Sequence, residues 1–371
     1  MSDFHTDNPV RRLRIVICWT SISGYMAACW SALHARPEVD LHVVVGAPET
    51  TTQVAFDASL MGSTPHTFVP EPRLRSGDAA VTAIVRNLKP DVLVVPGWMY
   101  AAYRDLPFAE GLTHVPTAMT MDTPYSGSLR ERLGRFRHPQ LFSRLSRVIV
   151  PGERGAMVAK VLGFRPEQIV KGMYSGDFAG CARAYAERLR GGGAWPKRFL
   201  YMGRYVEAKS IDILVAGYRA YRDRVKEPWP LVCMGKGELG SLLRGVAGIE
   251  DIGFVQPQDQ PKVLAESGVF VLVSNYEPWG MVIVESCAAG LPIIITEVCG
   301  AAVELGQSSY NAQVIPAGDA GALTDAMEWM HANHGRLPEM GRRSSELAGA
   351  YAAEVWAERW LQMARQMAAG R

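Results

Sequence analysis

The sequence predicts an α/β protein built from two doubly wound, Rossmann-like halves. Three observations predict it. A chain of 371 residues exceeds what one ordinary hydrophobic core organises, so two domains are expected. Short apolar runs of strand length alternate with longer helical stretches in both halves, the pattern of parallel sheets covered by helices. Between the halves, Gly191-Gly192-Gly193 and Pro196 follow a short Ala/Arg-rich helix, a composition that marks a linker. The expected division is a first domain over 1–178, a linker over 179–197 and a second domain over 198–351. The Ala-rich tail, about 352–371, reads as a final helix with Trp356 and Trp360 on one face.

Residues 1–11 read as a loose polar leader. The run 13–18 (LRIVIC) is a strand, 19–25 a polar loop, 26–35 a helix ended by Pro37, and 41–45 the next strand. G-x-G-x-x-G is absent, so this opening carries no dinucleotide fingerprint. Gly24 is either a plain turn or a point where a phosphate or sugar approaches the backbone. Residues 46–76 read as loops with one short strand near 67–69, and 79–88 as a helix. The strand 91–95 (DVLVV) stops at Pro96-Gly97, and Trp98, Tyr100 and Tyr103 lie just beyond it. Ligands of open α/β sheets bind past the carboxyl ends of strands. Aromatic faces there suit a sugar ring, with ordinary packing over the sheet edge as the alternative. The strand 116–121 leads into Asp122 and Tyr125; Asp122 is a site candidate or a helix cap. Residues 128–147 carry six arginines and one acid, with leucines and phenylalanines between them. They read as a basic amphipathic surface for an anionic lipid or acceptor, or as half-buried helices with a solvated arginine face. Strands at 148–150 and 169–171 and a helix at 155–162 complete the half.

The second half repeats the plan. Strand 199–202 (FLYM) is followed by Gly203-Arg204, a loop to Lys209 and a helix over 211–225. Strand 231–234 ends at Gly235-Lys236-Gly237, and strand 249–254 and a helix over 260–267 follow. The strand 269–273 then runs into SNYEPWGMVIVESCAAGLP, with further strands at 293–295 and 311–315 and a helix at 320–332. Glu277 sits just past the strand, and Pro278, Trp279 and Gly280 lead into a helix holding Glu285. The two acids bracket a helix N-terminus, where unpaired N–H groups favour an anion.

Bulk properties exclude several classes. A hydrophobic content of 48% fits a globular protein, and a net charge of +2 gives no strong steer towards nucleic acid or membrane; no nucleic-acid partner is expected. The six cysteines (18, 29, 181, 233, 287, 299) lack Cys-x-x-Cys spacing and read as buried thiols in a reducing compartment. No run reaches the roughly 20 apolar residues of a membrane helix, and the polar start is no signal peptide. The expected location is cytoplasmic, with a peripheral contact at the inner membrane face through 128–147. There is no H-E-x-x-H, no zinc spacing, no Asp-x-Asp, no P-loop and no G-x-S-x-G. The His331/His334 pair lies at a polar helix end. No metal and no cofactor are expected.

What remains is a constellation in the second half. Arg204 and Lys209 can hold a diphosphate, as a fork and a point charge. The helix start at Gly280 adds N–H donors, Glu277 can accept from sugar hydroxyls and Glu285 from a ribose diol. The Glu277–Glu285 pair, with the run EPWGMVIVESCAAGLPII, resembles the signature of family 4 of the retaining glycosyltransferases. Gly203-Arg204, Lys209, Gly235-Lys236-Gly237 and Gly253-Phe254-Val255 sit where that family has its other donor-domain motifs. The resemblance covers about residues 198–320 strongly and the first half weakly. It implies the GT-B architecture: two Rossmann-like domains facing across a cleft, with the last helix crossing back to the first.

The resemblance also implies roles. Arg204 and Lys209 bind the diphosphate and stabilise the leaving group, and Glu285 holds the ribose. Glu277 and the backbone of Trp279, Gly280, Met281 and Val282 hold sugar and phosphate. Gly203 and Gly235 belong to the donor loops, Val255 faces the base, and Gly24 approaches the donor from the other domain. Many members end the strand here closing at Met121 with a histidine; this chain has Asp122, expected to orient an acceptor hydroxyl. Trp98, Tyr100 and Tyr125 are the acceptor-side candidates. The implied activity is metal-independent, retaining transfer from a nucleoside-diphosphate sugar to a glycan, lipid-linked or small-molecule acceptor, in cell-surface polysaccharide or glycoconjugate synthesis. The alternatives are a nucleotide-sugar epimerase of the same fold and a non-catalytic carbohydrate- or nucleotide-binding protein.

Overall fold

A computed structural model describes residues 11–48, 58–125, 127, 128, 133–190 and 194–370. The first sheet comprises β1 (Leu13–Trp19), β2 (Val39–Gly46), β3 (His66–Val69), β4 (Val92–Pro96), β5 (Thr117–Thr120), β6 (Leu145–Val150) and β7 (Ile169–Lys171). The second comprises β8 (Phe199–Met202), β9 (Leu231–Met234), β10 (Ile249–Gly253), β11 (Val269–Leu272), β12 (Ile293–Thr296) and β13 (Ala312–Ile315). Every pairing in both sheets is parallel. Parallel strands need helical crossovers on both faces, which is why β4 and β11 are continuous buried apolar runs. Along β1 the side chains alternate: Ile15 and Ile17 enter one core, Val16 and Cys18 the other. All six cysteines are free and buried.

The strand orders are β3-β2-β1-β4-β5-β6-β7 and β10-β9-β8-β11-β12-β13. In each sheet the chain steps outward from one strand, then returns to that strand's other side. Loops leaving β1 and β4, and loops leaving β8 and β11, therefore diverge and open a crevice at the carboxyl edge.

The tail forms the helix Ala353–Ala369 and packs on the helix Gly24–His34 of the first body. Trp356 and Trp360, one helical turn apart, stack at 4.3 Å between ring centroids. Their indole N–H groups donate to the carbonyls of Met173 (3.0 Å) and Gly172 (3.2 Å). Each buried indole thus keeps a partner for its one polar atom.

Three stretches gain detail beyond the sequence reading. The short Ala/Arg helix expected before the glycines is Ala179–Arg190, and its Cys181 and Ala184 enter the second core. Its Arg188 donates to the carbonyls of Ala289 (2.7 Å) and Gly290 (3.2 Å); residues 191–193 lie outside the described set. Within 46–76, a short helix, Glu71–Ser76, follows β3, with Pro72 in its first turn and left-handed Gly77 (φ 73°) closing it. The basic stretch 128–147 is divided, its residues 129–132 being outside the described set. Pro139–Arg144 is a short helix and β6 already starts at Leu145, so Leu141 and Leu145 are buried while Leu133 and Phe136 are exposed.

Because the tail completes the first core, Trp356→Ala or Trp360→Ala is expected to cost about 3–5 kcal/mol of stability. Urea unfolding followed by circular dichroism reads this directly; an unchanged midpoint in both variants would detach the tail from that core.

Candidate active site

The loops leaving β8, β9, β10 and β11 enclose a cavity of about 740 Å³. Glycine lets the strand-end loops approach. A Cβ on Gly235 would stand 1.9 Å from the carbonyl oxygen of Gly203, so only glycine fits there. The amide of Gly203 donates to Met234 O (3.0 Å), that of Gly235 to Gly253 O (2.9 Å) and that of Tyr205 to Lys236 O (2.9 Å). These bonds set Gly203, Arg204, Gly235, Lys236 and Val255 around the cavity.

Lys209 ends a single turn, Glu207–Lys209, before the helix Ile211–Arg224. The Asn275 amide donates to Ala208 O (3.0 Å), tying the loop after β11 to the loop after β8. The Lys209 ammonium pairs with Glu277 Oε2, both side chains being little exposed (13% and 12%). Arg204 is exposed, and its carbonyl accepts from Tyr201 OH (3.0 Å).

The helix Met281–Ala288 starts from Gly280 at φ 97°, a conformation a side chain resists. Gly280, Met281 and Val282 line the cavity, and their turn carries the N–H groups that lack intrahelical partners. The amides of Gly300 and Ala301 donate to the carbonyls of Glu277 and Trp279 (both 2.9 Å) and hold this loop from behind.

Glu285 faces the same cavity and makes no hydrogen bond to a described residue. Burial pushes its carboxyl up to about 7. Three cations, Arg204, Lys209 and Lys236, meet two acids, Glu277 and Glu285. Lys209 is neutralised by Glu277, and Glu285 is only partly ionised near neutrality. The cavity therefore presents net positive charge beside a helix N-terminus, an arrangement that binds a polyanion.

A second cavity, about 320 Å³, lies past β1, β4 and β5. Trp98 and Asp122 line it, and Asp122 Oδ2 accepts from Tyr174 OH (2.9 Å). Tyr25 lines both cavities. Burial raises its phenol most, and the charges of Asp122 and Glu285 add to the shift while a hydrogen bond to Ser23 opposes it. Tyr276, from the second body, is likewise raised by burial and then by the charges of Asp122 and Glu277. Asp122 of the first body and Glu277 and Glu285 of the second therefore lie around one space.

Several expected residues lie elsewhere. The Trp279 indole is buried away from the larger cavity: it packs on Gly152 of the first body and tilts against Tyr351 at 5.6 Å. Tyr100 lines neither cavity; its hydroxyl donates to Glu71 (3.3 Å) and Arg75 lies over its ring. Tyr125 packs against the first core, and Tyr103 is fully buried, donating to Val44 O (3.0 Å). Gly24 begins its helix with nothing within 4 Å of a Cβ, flanked by the cavity-lining Ser23 and Tyr25. His331 stacks on Trp229 (4.8 Å) and bonds Tyr221 OH (2.8 Å), a packing role. Sequence reasoning missed Trp19, Tyr25 and Tyr174. Only Tyr25, beside Gly24 at a helix start, carried a local signal.

Residues 196–333 match the family model described as glycosyl transferases group 1. A mannosylfructose-phosphate synthase of Agrobacterium fabrum is 31% identical over 163 residues, 39% of this chain and 36% of that protein. The lipopolysaccharide core biosynthesis glycosyltransferase LpsE of Rhizobium meliloti is 30% identical over 169 residues, 44% of this chain and 48% of that protein. The chain thus matches less than half the length of these curated relatives. Among solved structures, Anabaena HepE in complex with UDP and glucose superposes with a TM-score of 0.72 at 15% identity, covering 96% of this chain and 100% of that one. Sucrose-phosphate synthase from Thermosynechococcus elongatus gives 0.73 at 16% identity, covering 97% and 100%. This likeness establishes the fold as GT-B: two Rossmann-like domains, with the final helix returned to the first.

Glu285 generates a stability prediction with a definite sign. Its folded-state value lies above the ordinary carboxylate range, so its contribution is fully present below about pH 4 and is lost as pH rises to about 7. Glu285→Gln removes that loss. Thermal unfolding of both proteins at pH 5 and pH 8 should show the variant gaining on the parent at the higher pH. A pH-independent difference would contradict the assigned burial.

Proposed function

We propose that this chain is a retaining, metal-independent glycosyltransferase that moves a sugar from a nucleoside-diphosphate sugar to an acceptor hydroxyl, in the synthesis of a cell-surface polysaccharide or glycoconjugate. The observation that carries this reading is the convergence of Arg204, Lys209 and the helix start at Gly280 on one cavity, with Glu285 at its side. The group 1 match over that same half supports it, as do the UDP and glucose bound by the structural neighbour HepE. Relatives named for lipopolysaccharide core and O-antigen synthesis support the polysaccharide context.

In this reading the second domain, about 198–351, holds the donor, and the first, about 1–178 with the tail, holds the acceptor. The diphosphate lies against Arg204, Lys209 and the amides of Gly280–Val282. Glu285 receives the ribose hydroxyls, Val255 lies by the base, and Glu277 exchanges part of its pairing with Lys209 for sugar hydroxyls. As the glycosidic bond breaks, charge grows on the β-phosphate, where these fixed cations and dipoles already point. They supply the positive charge that a divalent ion provides in other transferases. The acceptor hydroxyl, oriented by Asp122, attacks from the face the phosphate leaves, and the departing phosphate takes its proton.

Arg135 and Arg137, exposed beside Leu133 (64% exposed) and Phe136 (63%), extend the reading to peripheral contact with an anionic membrane face. No helix among the described residues is long and apolar enough to cross a membrane.

Two outcomes test this function. With nucleotide sugars and a panel of acceptors, Arg204→Ala and Lys209→Ala should each lower turnover about 10²-fold or more, as when an oxyanion-type donor is lost. NMR of the products should show the anomeric configuration retained; an epimerised donor sugar would establish the isomerase instead. For the surface patch, sedimentation with phosphatidylserine vesicles should capture the protein at low salt and release it as salt rises; no capture at low salt would remove the membrane contact.

A further inference from the structure

Building on the transfer reading above, we propose that the cavity past β1, β4 and β5 is an acceptor subsite selective for an uncharged glycosyl ring, and that it rejects anionic sugars. Its volume, about 320 Å³, is at the small end of ligand pockets and accommodates one sugar ring. Trp19, Tyr25 and Tyr174 are among its lining residues. They are locked edge to face: Tyr25 against Tyr174 at 5.7 Å and 89°, Trp19 against Tyr174 at 6.4 Å and 81°. Fixed aromatic faces match the C–H face of a pyranose without losing entropy on binding.

The polar pattern selects against charge. Among the described residues lining this cavity, Asp122 alone is charged, and no Lys, Arg or His joins it. Its Oδ2 is engaged by Tyr174 OH, which orients the carboxylate, while Oδ1 has no partner among the described residues and can accept a hydroxyl. A phosphate or carboxylate entering here meets no counter-ion among the described residues and faces Asp122. The larger cavity is the opposite case, with Arg204, Lys209 and Lys236 on its walls. The two cavities share Tyr25, so one side chain touches both the donor space and this ring site. Charge is thus sorted between them: the anion to the second domain, the neutral ring to the first.

Saturation-transfer NMR on the full chain tests the assignment. Methyl mannoside, glucoside and galactoside serve as neutral probes; mannose 6-phosphate and methyl glucuronide serve as anionic ones. At least one neutral probe should bind about tenfold or more tighter than the anionic probes. Asp122→Asn should shrink that gap to about threefold or less. Ser21→Lys, at an exposed lining position, should raise affinity for mannose 6-phosphate. Anionic probes binding as tightly as neutral ones, a gap unmoved by both variants, or no binding of any neutral probe would overturn the proposal. A parallel thermal shift with UDP and GDP separates the two levels. A nucleotide response without neutral preference removes only the acceptor class. No nucleotide response removes the transfer reading beneath it.

Discussion

The Lys209–Glu277 ion pair joins the two loops that diverge from neighbouring strands β8 and β11, at the point where the second sheet reverses its order. Parallel topology leaves a crevice there, and any ligand must enter between these loops. A mostly buried pair costs desolvation, which its Coulomb attraction offsets only in good geometry. Here it also keeps a cation in the crevice before any anion arrives. Gly235 lets the loop after β9 close on the loop after β8, since a Cβ there would stand 1.9 Å from the Gly203 carbonyl oxygen, and Gly280 (φ 97°) permits the turn from Glu277 into its helix.

The same loop couples the site to the cleft. Glu277 and Trp279 are hydrogen-bonded to Gly300 and Ala301, just before the helix Ala302–Leu305. From that helix Glu304 Oε1 accepts the amide of Glu153 (2.6 Å), at the start of the helix Glu153–Val161 in the first domain. The Trp279 indole fills the space left by the missing side chain of Gly152. Burial raises the Glu304 carboxyl, and the Glu153 amide opposes that shift. The loop after β11 thus carries its cavity-lining backbone on one side and the inter-domain contact on the other. Glu285, by contrast, is held without a partner at a cost to stability, as expected where binding rather than folding decides the residue.

The central strands were legible because parallel strands buried on both faces read as unbroken apolar runs, while the edge strands β3, β7 and β10, only partly buried, were placed by their position in the repeating strand–helix order. The larger cavity was legible for a related reason. Arg204, Lys209, Glu277 and Glu285 all lie at strand ends or helix starts, positions that the strands themselves locate. The smaller cavity was not. Tyr174 reaches Asp122 only through the turn after β7, a tertiary contact with no local pattern. Sequence order placed Tyr100 beside Trp98, yet a turn sends it to Glu71 and Arg75. The short helix before the glycines was legible in its Ala/Arg composition, but that its Cys181 and Ala184 enter the second core was not. In Trp279 the backbone and side chain serve different surfaces, a division that composition cannot convey.

The central claim is that the crevice at Arg204, Lys209 and Gly280 binds a nucleoside diphosphate with its own cations, with the Glu285 carboxyl beside it. Isothermal titration of the protein with UDP and GDP in the presence of EDTA, at pH 6 and pH 8, tests it most directly. The account predicts one saturable site for at least one nucleotide, insensitive to EDTA at both pH values. No saturable binding, or binding that appears only when a divalent ion is restored, would contradict it.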